Sequence, residues 1–266
     1  MKRQLILVLF TSTFLFIAFG SQNAEADIIN NGEINNIYWR IQEIIEVYDS
    51  SSDQPTIVNF VNHSEISNKV KVYDYSTCNT FGTASIDHGI YGYGNSQIGI
   101  FGGEIGYGGI VSAIHTENYS QATITGGLLL GYVIADGYSQ ITISGGNINI
   151  GQTASMILAD GHSEITISGG KFSGILRAWN SGQIIIEGRG FNYPVGEITD
   201  LAGTLTGTLL SGQTINWPFQ RGWSSTSPGS ITLVDETAII PVPGALLLGM
   251  LGLSVAGLKL RKGKEL

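Results

Sequence analysis

One cysteine, Cys78, and six prolines are all that the chain has of the two residues that most constrain a backbone. A lone cysteine excludes a disulfide framework and any paired-thiol metal or redox site. So few prolines, with no run and no period, exclude a collagen-like or proline-rich extended chain. Charge is scarce too: Asp, Glu, Lys and Arg make up 13% of the residues, about half the usual share, which is the opposite of a solvated disordered chain. Four scattered histidines offer no metal or triad pattern. No G-x-S-x-G, H-E-x-x-H, phosphate-binding glycine loop, dinucleotide fingerprint or calcium nonapeptide occurs. The residue in surplus is glycine, 37 of 266, beside a hydrophobic fraction of 42%, ample for a packed core.

Residues 1–26 read as an address. Lys2 and Arg3 precede an apolar run over residues 5–19, and Ala24-Glu25-Ala26 supplies a small-residue cleavage site. Cleavage before Asp27, hence export, is expected. A second apolar segment, residues 245–258, is entered through Pro241-Val242-Pro243-Gly244 and followed by Lys259, Arg261, Lys262 and Lys264. It reaches the length of a membrane-spanning helix only with the preceding residues included, and its basic tail is expected to stay cytoplasmic.

Proline entry, a small and leucine-rich helix and a basic end in an exported chain resemble the PEP-CTERM sorting signal of Gram-negative bacteria, over residues 240–264. Pro241-Val242-Pro243 is a variant of the name-giving Pro-Glu-Pro. The resemblance implies recognition by an exosortase-type enzyme through Pro241, Pro243, Arg261 and Lys262. It also implies anchorage in the membrane by the C-terminal helix, and residence at the cell surface or in the extracellular matrix, in company with exopolysaccharide.

With both ends set aside, seven basic and nineteen acidic residues remain, a net charge near −12. Nucleic acid is not an expected partner, since phosphate binding wants a basic face.

Internal repetition sets the fold class. Ser76, Ser96, Ser120, Ser139, Ser163 and Gly182 recur at 19 to 24 residues, the length of one coil of a β-solenoid. The second and fourth residues after each are Cys78 and Thr80, Ile98 and Ile100, Ala122 and Ile124, Ile141 and Ile143, Ile165 and Ile167, Ile184 and Ile186. That alternation describes a strand with one buried face. Six residues before each anchor stand Val70, Ile90, Ile114, Val133, Ile157 and Leu176; nine residues after come Ile105, Leu129, Ile148, Phe172 and Phe191. Glycine pairs such as Gly102-Gly103 and Gly145-Gly146 separate the second column from the third.

Three inward columns separated by turns predict an all-β fold, a right-handed three-sided parallel β-helix. The expected division is a signal peptide (1–26), an N-terminal cap (27–55), β-helix repeats (56–192), a small C-terminal β cap (193–236) and the sorting anchor (237–266). Within the first cap, Trp39, Ile41, Ile44, Ile45 and Tyr48 fit an amphipathic helix or, from Ile44 on, a strand. Residues 203–209, 214–219 and 230–234 read as strands around Ser211-Gly212.

Three features invite a functional reading. Glu117, Asp136 and Asp160 each precede their anchor by three residues and should stack on successive rungs; they either share a divalent cation such as Ca²⁺ or are solvated turn residues. Tyr75, Asn95, Tyr119, Tyr138 and His162 form an outward column just before the anchors. Its rings either stack to support the rungs or offer a glycan platform, with Tyr75, Tyr119 and Tyr138 as its members. The 24-residue coils place extra loops at 106–113 and 149–155, a binding face or a tolerated bulge. No catalytic set stands out. The expectation is a structural or adhesive surface protein, and its alternative is a polysaccharide lyase, hydrolase or carbohydrate-binding module on the same scaffold.

Overall fold

The computed structural model describes residues 27–49, 54–106, 112–149, 156–222 and 228–235. Every regular element among them is a β-strand. The strands are short because each coil must turn three times. The first column runs Ile45–Val47, Val70–Val72, Ile90–Gly92, Ser112–Thr116, Tyr132–Ala135, Met156–Ala159, Ile175–Ala178. The second runs Ile57–Phe60, Thr77–Thr80, Gln97–Ile100, Gln121–Ile124, Gln140–Ile143, Glu164–Ile167, Gln183–Arg189. The third, from Arg40–Ile41 to Lys171–Ser173, forms a separate seven-stranded sheet. All pairing along these columns is parallel, as between Gln121↔Gln140 and Ile124↔Ile143. The chain is a parallel β-solenoid with antiparallel pairing at its C-terminal edge.

Alternation decides which side chains face in. Ile141 and Ile143 are buried while Gln140 and Thr142 are exposed, and the second and fourth residues of the other second-column strands named above are buried alike. Each buried Ile contributes on the order of 1.5–3 kcal/mol, and β-branched side chains suit a pleated surface packed on one face. Cys78 occupies an inward position in register with Val58 and Ile98, fully buried as a small hydrophobe. Burial pushes its thiol up, away from the reactive thiolate form.

The anchor serines are buried, and three of them tie coils together. Ser120, Ser139 and Ser163 donate their hydroxyls to the carbonyls of Gly92 (3.1 Å), Thr116 (3.1 Å) and Ala135 (2.9 Å) on the preceding coil. Two residues before each anchor the backbone turns at positive φ, carried by Asp74, Gly94, Asn118, Gly137, Gly161 and Asn180, residue types that tolerate the left-handed region.

Several features differ from the sequence reading. Of the helix and strand readings left open for residues 39–48, the strand is the one formed: Asp27–Ile29 pairs in parallel with Ile45–Val47, and Ile34–Ile37 with Ile57–Phe60. Parallel stacking therefore begins upstream of residue 56. Ile41 and Ile45 lie in strands of the third and first columns, so the helical spacing arises from a chain crossing two sides of one coil. The first rung ends in polarity. Asn35, in line with Val58 and Cys78, exchanges amide hydrogen bonds with Asn31 (2.9 and 3.0 Å).

The third column also contains Ile66 and Ile86, ten residues after Thr56 and Ser76 rather than nine, because Gly82-Thr83-Ala84 holds one residue more than Gly102-Gly103. Phe191 leaves that column. The strand Gln183–Arg189 runs on without turning, and a Cβ at Gly188 would meet the Phe191 ring at 3.0 Å. The column ends instead at Phe172, against which Trp217 packs edge-on at 5.5 Å while its indole N–H donates to the Phe172 carbonyl.

At the C-terminal end, Ala202–Leu209 and Thr214–Arg221 form an antiparallel hairpin, as the turn at Ser211-Gly212 predicts. Thr214–Arg221 and Ser230–Asp235 then continue the first and second columns in parallel. Arg221, buried, is held by Glu197 and by the carbonyls of Ile198 and Gly229. No helix among the described residues is long and apolar enough to cross a membrane. Pro241, Pro243, Arg261, Lys262 and the signal segment lie outside the described residues, as does most of both extra loops.

Candidate functional site

The carboxylate column forms as spaced. The backbone N–H of Asp136 donates to the Thr116 carbonyl, and that of Asp160 to the Ala135 carbonyl, both at 2.9 Å, which sets Glu117, Asp136 and Asp160 on three consecutive rungs. Their oxygens are nevertheless occupied locally. Asp136 Oδ1 accepts the N–H of Gly137 at 2.6 Å and Asp160 Oδ1 that of Gly161 at 2.7 Å. Asp160 Oδ1 also accepts the Asn180 amide. Glu117 leans toward His115, with 3.5 Å between Oε1 and Nε2. Side-chain oxygens that close their own turns are the turn-residue geometry. Among the described residues, no group of three or more His, Cys, Asp or Glu side chains is placed to hold a metal ion.

Directly below the carboxylates, the same column holds three tyrosines, of which the sequence reading named only Tyr48, as a member of the N-terminal cap. Tyr48 and Tyr73 stack at 4.4 Å and 3°, Tyr73 and Tyr93 at 5.0 Å and 17°. They follow the last strand residues Val47, Val72 and Gly92, which are mutually in register, and that spacing was the available signal. The Tyr48 hydroxyl donates to Glu46 at 3.3 Å, and Lys71 pairs with the same carboxylate at 2.8 Å. Burial, then the neighbouring Tyr73 and Glu46, push the Tyr48 hydroxyl up, and the stacked rings support the rungs.

The other ring column divides. Tyr119 and Tyr138 stack at 5.4 Å, and Tyr138 and His162 at 5.0 Å. Tyr75 stands apart, two rungs below Tyr119, with Asn95 between them. Rings stacked along the axis turn their faces to one another and present edges and hydroxyls outward.

The outward face of the second column changes character along its length. Asn36, Asn59 and Asn79 form an amide ladder, each linked to the next at 2.9 and 3.0 Å. Gly99 ends it, and Thr123, Thr142 and Thr166 take the same position above. Next to these, the residue after each strand is Tyr38, Val61, Phe81 and Phe101 on the lower coils, then Thr125, Ser144 and Ser168. An open depression of about 520 Å³ at the following corner is lined by Gly127, Gly146, Gly170, Lys171, Ser211 and Gln213. Its glycines are explained by close stacking, since a Cβ at Gly146 would sit 2.7 Å from the Gly126 carbonyl.

No protein-family model, no curated protein and no solved structure matches the chain.

Proposed function

We propose that the protein is an exported structural or adhesive component of a bacterial cell surface or matrix, and that it works by displaying flat solenoid faces to exopolysaccharide. The observation that carries this reading is the surface itself. Register-locked rungs set outward side chains in rows that run from coil to coil, and the site chemistry described above is spent on turns and ladders. Such a surface suits an extended, repetitive partner better than a small substrate, which needs a concave site. The coil is read as right-handed, the hand that parallel crossovers take.

The end segments supply the address. Residues 1–26 act as a signal peptide, and residues 237–266 as a variant PEP-CTERM anchor that holds the chain in the membrane until an exosortase-type enzyme processes it. Intact mass of protein released from the cell surface tests the address: a chain starting at Asp27 and lacking its basic tail is expected, and one retaining Lys259 to Leu266 would replace sorting with simple anchorage. Incubation of the purified protein with neutral and acidic polysaccharides tests the activity. Cosedimentation without new reducing ends or unsaturated products is expected. Turnover would replace the adhesive reading with that of a polysaccharide-degrading enzyme.

A further inference from the structure

The first coil ends the solenoid on an open edge. Among the described residues, its strands Asp27–Ile29, Ile34–Ile37 and Arg40–Ile41 pair on one side only, with Ile45–Val47, Ile57–Phe60 and Glu65–Ile66 of the next coil. The Ile57 N–H donates to the Glu33 carbonyl at 2.9 Å and the Val61 N–H to the Ile37 carbonyl at 3.1 Å. Backbone groups alternate in direction along a ladder, so those of Ile34, Asn36 and Tyr38 point the other way, off the end of the stack. The opposite end is closed, since antiparallel strands cover the outer edges of Thr214–Arg221 and Ser230–Asp235.

Sheet edges that stay free in solution are guarded by charge, proline, bulges or covering segments. Residues 34–39, Ile-Asn-Asn-Ile-Tyr-Trp, hold no charge and no proline, and their pairing with Ile57–Phe60 runs without a bulge. Ile34 is 65% exposed and Tyr38 51%. The asparagine ladder also stops here with its last donor unused. Asn79 donates to Asn59 and Asn59 to Asn36, while the Asn36 side-chain amide donates to no other described residue.

The pattern of this edge matches itself. Antiparallel pairing sets outward residues opposite outward ones, so a strand that meets its own copy about a two-fold axis at Asn36 places Asn36 against Asn36 and Ile34 against Tyr38. Each exposed apolar side chain then covers the other, the two asparagine ladders meet, and the backbone groups that exchange bonds are the free ones. The core end inside the coil is closed by the Asn31–Asn35 amide pair, so the edge is what a partner is offered, not an apolar plug. We infer that two copies of the mature chain join head to head through residues 34–38, an isologous contact that merges their second faces into one longer face. The inference rests on the exported reading above in one respect: removal of residues 1–26 leaves no upstream segment to add a strand to this edge.

Sedimentation velocity of the purified mature chain tests this, and a concentration-dependent dimer is expected. Asn36→Pro removes an N–H that faces off the stack, a place where edge strands accept proline, and Asn36→Lys adds a guarding charge. Both should weaken the dimer at least about tenfold and keep the wild-type circular dichroism spectrum. Asn36→Cys should cross-link to its own copy on mild oxidation, because a hydrogen-bonded antiparallel pair sets its Cα atoms about 5.5 Å apart, within disulfide reach. Asn59→Cys, one coil away, should not, and the native Cys78 is buried. A dimer undiminished in both Asn36→Pro and Asn36→Lys, or one cross-linked through Asn59→Cys and not through Asn36→Cys, would overturn the contact. A chain that starts at Asp27 and stays monomeric at every concentration would overturn it and leave the exported reading standing. An intact mass showing that surface protein keeps residues before Asp27 would overturn that reading and the contact with it.

Discussion

The ring of Phe101 lies over Gly99, so that a Cβ built on Gly99 would stand 2.6 Å from Cε2 of that ring and would also strike the Asn79 amide oxygen. Glycine at this one outward position lets an aromatic side chain fold down onto the face and close the asparagine ladder.

Gly99→Ala is expected to lower stability by about 1–3 kcal/mol, the usual cost of overpacking. In the background of Phe101→Ala the same change should cost clearly less, because the displaced ring is gone. A double-mutant cycle from urea melts measures the coupling, and additive effects would mean that Phe101 does not cover Gly99.

Ile143→Asp is expected to unfold the solenoid, and Thr142→Asp to leave its melting temperature nearly unchanged. The two residues are neighbours on one strand, Ile143 buried and Thr142 exposed. A buried unpaired carboxylate costs several kcal/mol. Far-UV circular dichroism melts distinguish them, and equal loss in both variants would mean a shifted register.

The anchor serines should separate into two classes. Ser139→Ala removes a buried hydroxyl that donates to the Thr116 carbonyl and accepts from the Thr116 hydroxyl, with an expected loss of about 1–2 kcal/mol. The hydroxyl of Ser96 is buried without a hydrogen-bond partner, so Ser96→Ala should be neutral or slightly stabilising. Denaturant midpoints at constant m-value provide the test.

Millimolar Ca²⁺ is expected to leave the melting temperature unchanged, since Asp136 and Asp160 each commit an oxygen to their own turn. A rise that disappears in Asp136→Asn/Asp160→Asn would restore the shared cation site, because a ligand preferring the folded state stabilises it by mass action.

Much of this architecture is legible in the chain because a buried strand must alternate, and Ile141, Ile143, Ile165 and Ile167 advertise the second column without help from their neighbours. The third column is harder. A turn absorbs one extra residue at Gly82-Thr83-Ala84 without disturbing any strand, so counting at a fixed offset passes over Ile66 and Ile86. Trp39 to Tyr48 is ambiguous for a different reason: local spacing fits a helix, and only parallel pairing with residues about 25 positions later decides for strands. The carboxylate column can be placed from spacing alone, but the commitment of its oxygens to Gly137 and Gly161 is a matter of side-chain torsion. The apolar row from Tyr38 to Phe101 stays hidden until the coils are superposed, because each of its residues taken singly is an ordinary turn neighbour.

Both strands of the last coil lie across one long excursion of the chain, Thr214–Arg221 pairing 43 residues back at Leu176↔Phe219 and Ser230–Asp235 47 residues back at Gln183↔Ser230, whereas the coils below pair with partners no more than about 25 residues away. Closing that one long excursion requires the hairpin to form and dock first, at an entropic cost the other rungs do not share. The lower coils can therefore zip in sequence order as the chain becomes available, each templated by its predecessor, with the last rung sealing a stack already built. Hydrogen exchange should accordingly find the amides of residues 230–235 opening before those of residues 121–124.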